Sequence, residues 1–255
     1  MRGEATEDPA DPGPATDSPK VLWVTGAGSG MGRAAAVAAA PGRRIALSGR
    51  RPEPLAETAS LVQSAGGEAL VLPLDAREPE ALAAAHDRLR ASWGGVDELV
   101  LSAGLNAPKR TWADQSIAEL EAVIDTNLTA VARIVDAVLP DLRERGGGQV
   151  VIVSSYSAWR FSPYAGVAYS ASKSALASIC QTLNAQEAAH GIRACHLCPG
   201  DVDSDFLDLR PAVPGPEARA VMLTPEDVAR AVRFVLASPP HVRIDELVIS
   251  PVSQT

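Results

Sequence analysis

The side chains best suited to acid–base chemistry are Tyr169 and Lys173, at the two ends of the segment Tyr-Ser-Ala-Ser-Lys. Residues four apart on a helix share one face, so this spacing brings a phenol and an ammonium together. A phenol has an ordinary pKa of about 10, and a neighbouring cation stabilises the phenolate and lowers that pKa. The pair is therefore a candidate proton donor. A tyrosine packed in the core beside a lysine that reaches solvent has the same spacing. Other segments of the sequence must therefore distinguish a catalytic pair from a packing pair.

A glycine-rich turn near the start of the chain predicts a phosphate site. Thr25-Gly-Ala-Gly-Ser-Gly-Met-Gly32 follows the apolar run 21–24 and precedes the alanine-rich run 33–40, which is typical of a strand, a tight turn and a helix. Glycine lets a phosphate approach closely, and the free N–H groups at a helix start favour an anion. A flexible linker would not lie between a buried strand and a helix-forming run.

Six segments, that of Tyr169 and Lys173 among them, stand in a recognisable order: Leu74-Asp-Ala76, Ser102-Ala-Gly104, Asp125-Thr-Asn-Leu128, Val150 to Ser155, Tyr169 to Lys173, and Pro199 to Ser204. With the glycine turn they resemble the short-chain dehydrogenase/reductase family, in its single-domain branch with TGxxxGxG and YxxxK motifs. The resemblance runs from Lys20 to the C-terminus. It implies an oxidoreductase that transfers a hydride between a nicotinamide cofactor and a carbonyl or secondary alcohol.

The resemblance implies a catalytic set of Asn127, Ser155, Tyr169 and Lys173. In it Tyr169 delivers or removes the proton and Ser155 hydrogen-bonds the substrate oxygen. Lys173 lowers the pKa of Tyr169 and holds ribose hydroxyls, and Asn127 anchors a water. Ser155 precedes Tyr169 by one residue more than the commonest family spacing, so Ser154 and Ser157 remain alternatives. The sequence Leu101-Ser-Ala-Gly104 stands where many relatives have Asn-Asn-Ala-Gly, which changes how that loop is braced.

The cofactor-binding residues implied by the resemblance and by the glycine turn are Gly26, Gly28, Ser29, Gly30, Met31, Gly32, Arg50, Arg51, Asp75, Ala76, Ser102, Ala103, Gly104, Tyr169, Lys173, Pro199, Gly200, Val202 and Ser204. An NAD site of this architecture usually has a carboxylate at the end of the second strand, which repels a 2′-phosphate. Here Gly49 is followed by Arg50 and Arg51. Because guanidinium suits a phosphate by charge and geometry, the sequence favours NADP over NAD.

The chain alternates short apolar strands with alanine-rich helices. Strands are predicted near 21–25, 44–48, 69–74, 97–101, 149–154, 192–198 and 245–249, and helices near 30–40, 52–65, 79–92, 116–144, 169–189 and 225–236. Apolar strands each followed by a helix predict an α/β fold, a single doubly wound Rossmann-type domain of about seven parallel strands with helices on both faces. We expect this domain to span 20–255, behind a disordered, acidic, proline-rich tail at 1–19.

Composition and charge limit the kinds of partner that the protein is expected to bind. The formal net charge of −8 gives no basic patch for nucleic acid, and no apolar run reaches membrane-spanning length. Three cysteines, without a secretory or transit signal, predict a cytoplasmic protein. No metal site is expected, because Cys195 and Cys198 would point to opposite faces of a strand and the histidines, His196 included, show no ligand pattern. The family resemblance implies a homodimer or homotetramer built on the helices at 116–144 and 169–189.

The sequence does not identify the small-molecule carbonyl or alcohol substrate. A surface lid is predicted over 205–223, because it contains three prolines and a glycine. Residues that would meet a substrate there or nearby are Arg160 and Arg210 for an anion, and Trp112, Trp159, Phe161 and Tyr164 for an apolar group. The ending 244–251 is similar to that of family members acting on 3-hydroxy acids and serine. A dinucleotide-binding regulatory or scaffold protein without turnover is the alternative function.

Overall fold

Seven parallel strands form one sheet in the order β3-β2-β1-β4-β5-β6-β7. Their bounds are β1 Val21–Thr25, β2 Arg44–Gly49, β3 Glu68–Pro73, β4 Glu98–Leu101, β5 Gly148–Val153, β6 Ile192–Pro199 and β7 Glu246–Ile249. The computed structural model describes residues 18–254. The predicted tail at 1–19 therefore lies almost entirely outside the described residues. The seven strands and their parallel pairing confirm the predicted doubly wound α/β fold.

Nine α-helices are present within residues 18–254: α1 Gly30–Ala39, α2 Pro52–Ser64, α3 Pro79–Trp93, α4 Ile117–Ile124, α5 Ala130–Glu144, α6 Tyr156–Trp159, α7 Val167–Gln186, α8 Pro216–Arg219 and α9 Pro225–Leu236. Their ends follow from the sequence. Proline occupies the first position of α2, α3 and α9, where no N–H is needed. Reciprocal side-chain caps start α4 at Ser116 and α9 at Thr224. None of the helices in the described residues combines the length and apolar character that crossing a bilayer requires.

The helices cover both faces of the sheet. One apolar core joins the sheet to α1, α2 and α9, with Ala35, Leu55 and Val232 fully or almost fully buried. The second core joins the other face to α3, α5 and α7. Burying one such aliphatic side chain contributes about 1.5–3 kcal/mol, so the two cores hold the strand ends rigidly. The functional residues can then be positioned by short loops.

The long helix predicted over 116–144 is interrupted, so that prediction is wrong in detail. A π-helical turn, Asp125–Thr129, separates α4 from α5. Asn127 lies in this turn with its side chain fully buried and bonded to the main chain of Leu105. The wider turn adds one residue and lets Asn127 reach across to the loop after β4. Turns of this kind are frequent at functional sites.

The strand order reverses between β1 and β4, which pair with each other. The strands β2 and β3 lie on the β1 side of this pair, and β5, β6 and β7 lie on the β4 side. Thr25 and Leu101 are partners at their carboxyl ends, so the loops that follow lie side by side. A Cβ on Gly26, whose φ is +65°, would lie 2.8 Å from the main-chain nitrogen of Ala103. Only glycine allows this approach. In open α/β sheets this reversal point is where ligands bind.

The predicted lid lies at the surface and has short helical turns. A 3₁₀ helix spans Asp205–Leu209, α8 follows, and Leu223 pairs with Val202 to close the segment. The lid thus begins at the carboxyl end of β6 and extends over the same edge of the sheet.

Candidate active site

A single cleft at the carboxyl edge of the sheet collects most of the predicted site. It is lined by Gly26, Gly28, Ser29, Gly30, Met31, Gly32, Arg50, Arg51, Asp75, Ala76, Ser102, Ala103, Gly104, Tyr169, Lys173 and Ser204. Pro199, Gly200 and Val202 lie behind this lining rather than in it. The main-chain nitrogen of Asp201, the residue after Gly200, donates to the side-chain oxygen of Gln254. Val202 is buried and pairs with the last residue of the lid.

The glycine turn forms one end of the cleft. Helix α1 starts at Gly30, and its N-cap residue Ser29 makes no side-chain capping bond. The N–H groups of this first turn are therefore available to a phosphate. Arg33 braces the turn by donating to the main-chain oxygen of Gly28 at 2.6 Å and pairing with Glu57 at 3.0 Å. A Cβ on Gly32 would overlap the main-chain oxygen of Gly26, so the helix packs directly on the strand end.

Three arginines surround the neighbouring part of the cleft. Arg50 and Arg51 follow β2 and are exposed. Arg77, which the sequence analysis missed, binds Asp75 with Nε at 3.0 Å and Nη2 at 2.6 Å. This bond to Arg77 lowers the pKa of Asp75, so the carboxylate is charged and already paired. An arginine two residues after an acidic residue at a strand end was the available signal.

Lys173 is buried and fixed in position. Its Nζ donates to the main-chain oxygen of Val153 at 2.9 Å and lies 5.9 Å from the centre of the Tyr169 ring. Burial lowers the pKa of Lys173 to about 8, because removal from water disfavours the charged amine. The predicted alignment of the two side chains on one face of α7 is present.

The pKa of Tyr169 is shifted in the direction opposite to the one predicted. Burial of the phenol dominates and raises its pKa above the ordinary value. A hydrogen bond with Ser155 and the positive charges of Arg110 and Arg210 act the other way. The prediction that Lys173 moves this pKa toward neutrality is therefore wrong for the structure described. The phenol is protonated at neutral pH.

Three serine hydroxyls near Tyr169 have different partners. Ser154 Oγ donates to the main-chain oxygen of Lys173 at 3.1 Å and is buried. Ser157 Oγ donates to Ser155 Oγ at 3.0 Å, and the Ser157 main-chain nitrogen donates to the same oxygen. Of the three, Ser155 is the one whose hydrogen bond acts to lower the pKa of Tyr169, and Ser157 holds it in place. Its catalytic role remains a prediction.

Asn127 braces the loop after β4. Its Oδ1 accepts from the main-chain nitrogen of Leu105 at 2.7 Å, and its Nδ2 donates to the Leu105 oxygen and to Ser172 Oγ. Both amide hydrogens are therefore used within the protein. A Cβ on Gly104 would lie 3.7 Å from Asn127 Oδ1 and 3.6 Å from Lys173 Nζ. The bracing of this loop comes from Asn127 in a chain that lacks the usual two asparagines there.

A cluster of possible ligands lies between β6 and β7, outside the cleft. The predicted isolation of His196 is wrong, since Glu246 is its partner across the strands and Cys198 is on the same face. His196 Nδ1 bonds Glu246 Oε1 at 3.0 Å. Cys198 Sγ lies 3.4 and 3.8 Å from the two ring nitrogens, which puts it over the ring face. Burial raises the pKa of the Cys198 thiol to about 12, so this is a neutral thiol beside a hydrogen-bonded pair. Cys195 packs in the opposite core, as expected.

Comparison with known proteins agrees with this geometry. The profile of the family described as short chain dehydrogenase matches residues 20–212. An uncharacterized oxidoreductase of Staphylococcus aureus is 31% identical over 91% of this chain and 97% of its own length.

Two solved structures are similar in the same way. An alcohol dehydrogenase of the archaeon Thermococcus sibiricus, complexed with 5-hydroxy-NADP, has a TM-score of 0.83 and 32% identity, over 92% of this chain and 98% of its own. A variant of actinorhodin polyketide ketoreductase with NADPH has a TM-score of 0.84 and 28% identity, over 92% and 97% of the two chains. The chain belongs to the short-chain dehydrogenase family and is an oxidoreductase of that family.

Proposed function

We propose that this protein transfers a hydride between NADP(H) and the carbonyl or secondary alcohol of a small molecule, with Tyr169 as the general acid and base. The observation that carries the proposal is that Tyr169 and Lys173 line the same cleft as the glycine turn, with a hydrogen bond from Ser155 acting on the phenol to lower its pKa. The bound nicotinamide would supply the hydride, which no protein side chain can provide.

The residues of the chain would handle the proton and the developing charge. When a hydride reaches the carbonyl carbon, the electron pair of the C=O bond moves to oxygen, and Tyr169 transfers its phenolic proton there. Ser155 would donate a hydrogen bond to the same oxygen, for which Ser157 leaves it poised. Lys173, beside the resulting phenolate, would stabilise it by charge. In the oxidation direction the proton returns along the same path.

Arg50 and Arg51 support NADP as the cofactor. Both line the same cleft as Asp75, and the charge of Arg50 adds to the lowering of the Asp75 pKa that Arg77 causes. Arg77 already neutralises Asp75, so this carboxylate would not repel a 2′-phosphate. The two solved relatives described above were determined with NADPH or an NADP derivative.

The cytoplasmic location and the homo-oligomer are proposed with the same function. A shallow, mostly apolar groove runs between the outer faces of α5 and α7 and is lined by Val135, Leu139 and Ile179. These are the helices predicted to pair with those of a second copy. Sedimentation velocity would show a dimer or tetramer at micromolar concentration if the proposal is right, and a monomer if it is wrong.

A carbonyl panel tests the proposed activity against the regulatory alternative. Purified protein is mixed with NADPH and aldehydes, ketones or keto acids, and the absorbance of the reduced nicotinamide is followed. The proposal predicts turnover of at least one carbonyl class. NADPH binding without turnover of any compound would favour the regulatory protein instead.

A further inference from the structure

Arg110, in the loop after β4, joins three segments close to the start of α7, the helix that carries Tyr169. Its Nε donates to the main-chain oxygen of Ala107 at 2.7 Å, and its Nη2 donates to Leu209 at the end of the lid's 3₁₀ helix at 2.7 Å. Its Nη1 lies 3.5 Å from the main-chain oxygen of Tyr164. The last contact is long, so one side of the guanidinium is only weakly used.

Within the described residues, the guanidinium of Arg110 bonds only to main-chain oxygens. Among residues 18–254 no carboxylate lies within salt-bridge distance of its guanidinium. Arg210 stands near it but is paired with Asp201 at 2.5 Å. Burial and the neighbouring charge of Arg210 lower the pKa of Arg110. The charged form of this guanidinium is therefore less stable here than it would be in water. Arg110, Arg210 and Asp201 together carry a net charge of one positive unit.

Arg110 packs between the start of α7, two residues before Tyr169, and the 3₁₀ helix of the lid. The main-chain oxygen of Arg110 accepts from Val167, the first residue of α7, two residues before Tyr169. A Cβ on Gly166 would lie 2.8 Å from the Arg110 Cβ, so the arginine packs against the start of that helix. Phe206, in the same 3₁₀ helix as Leu209, has its ring centre 6.1 Å from that of Tyr169. The positive charges of Arg110 and Arg210 also act to lower the pKa of Tyr169, against the larger effect of burial.

We propose that the substrate carries a carboxylate, which Arg110 receives through the weakly used side of its guanidinium while Asp201 holds Arg210 alongside. This inference rests on the proposed function and adds the class of substrate to it. A single unbalanced positive charge suits a monoanion. A phosphate monoester, with close to two negative charges, would leave a buried negative charge. Guanidinium binds carboxylate through two parallel hydrogen bonds, which orients the carbonyl next to it.

The test compares keto acids with their uncharged amides. Three pairs differ in the distance between the carbonyl and the carboxyl group: pyruvate and pyruvamide, acetoacetate and acetoacetamide, levulinate and levulinamide. In the wild-type protein with NADPH, we expect kcat/KM for the best acid to exceed that for its amide by about 10-fold or more, as for a charge-assisted hydrogen bond. Arg110→Gln should remove this preference, because kcat/KM for the acid should fall by about 10-fold more than kcat/KM for the amide.

Two further variants separate substrate recognition from the folding of the lid. Asp201→Asn leaves the contacts of Arg110 intact and adds positive charge, so it should raise the preference for the acid. Lys109→Gln removes an exposed cation one residue away and should leave the preference unchanged. Equal rates for acid and amide in the wild-type protein would overturn the inference. An equal loss for both in Arg110→Gln, with no rise in Asp201→Asn, would also overturn it.

A binding measurement keeps this inference distinct from the proposed function. Absence of turnover for all six compounds would count against the activity itself. The dissociation constants of the same acids and amides from the NADPH complex, measured by quenching of nicotinamide fluorescence, would then decide. Tighter binding of an acid that is lost in Arg110→Gln supports the carboxylate site, and equal binding of acid and amide contradicts it.

Discussion

Lys173 Nζ lies 5.9 Å from the centre of the Tyr169 ring and donates to the main-chain oxygen of Val153 at 2.9 Å. The amine is thus tied to the end of β5 rather than to the phenol. Its proximity to the ring makes it a source of charge for a phenolate once that forms. Burial also destabilises the charged form of the Lys173 amine, and this loss of free energy can be measured.

Replacing Lys173 with methionine should change how stability depends on pH. The folded protein holds Lys173 with a pKa of about 8, compared with an ordinary value of 10.5. Between these values the unfolded chain binds more protons, so the contribution of Lys173 to stability rises with pH. The free energy of unfolding of the wild type relative to Lys173→Met should therefore increase by about 2 kcal/mol between pH 7 and pH 10.

Urea unfolding of the two proteins without added nucleotide checks this expectation. Tyr169, whose raised pKa lowers stability only above about pH 10, is present in both and cancels. If the free energies of unfolding of the two proteins change in parallel between pH 7 and pH 10, burial does not destabilise the charged form of Lys173.

Arg50→Ala should discriminate between the two nicotinamide cofactors. Loss of a charge-assisted bond to a 2′-phosphate corresponds to about 1.5–3 kcal/mol, or roughly 10- to 100-fold weaker NADPH binding. NADH lacks that phosphate, so its dissociation constant should change by less than about 2-fold. Fluorescence titration measures both. Arg88→Ala, an exposed arginine on α3 outside the cleft lining, controls for net charge and should affect neither cofactor. Equal losses for NADPH and NADH in Arg50→Ala would argue against NADP specificity.

The three serines near Tyr169 should give distinct results as alanine variants. Ser155→Ala removes the hydroxyl whose hydrogen bond acts to lower the pKa of Tyr169, and we expect kcat/KM to fall by about 100-fold or more. Ser154→Ala loses a buried bond to the main chain of Lys173, which should lower stability by about 1 kcal/mol and affect activity less. Ser157→Ala should have an intermediate effect, because it only holds Ser155. A larger activity loss in Ser154→Ala than in Ser155→Ala would reassign the catalytic hydroxyl.

The fold was predictable because its signals are local. Apolar runs gave all seven strands to within a residue or so, and the glycine turn between β1 and α1 identified the edge of the sheet where the cleft lies. The interruption at Asn127 was not predictable, because it depends on bonds to Leu105, a residue distant in sequence. The same applies to His196 and Glu246, which meet only through the register of β6 and β7.

The charges of the site were harder to predict than its positions. The direction of the Tyr169 pKa shift depends on how deeply the surrounding segments bury the phenol. The pairing of Asp75 with Arg77, and the lack of a carboxylate partner for Arg110 among residues 18–254, depend on side-chain geometry that spacing does not reveal. Arg210 was noted as a possible anion site from its place in the lid. Its salt bridge with Asp201 instead leaves Arg110 as the unbalanced charge.

The most direct measurement is the activity and cofactor affinity of Tyr169→Phe, which removes one oxygen atom and keeps the ring against Phe206. We expect NADPH to bind with a dissociation constant within about 3-fold of the wild type, and kcat for the best carbonyl substrate to fall by about 100-fold or more. Turnover at the wild-type rate in this variant would show that the phenol does not carry the proton.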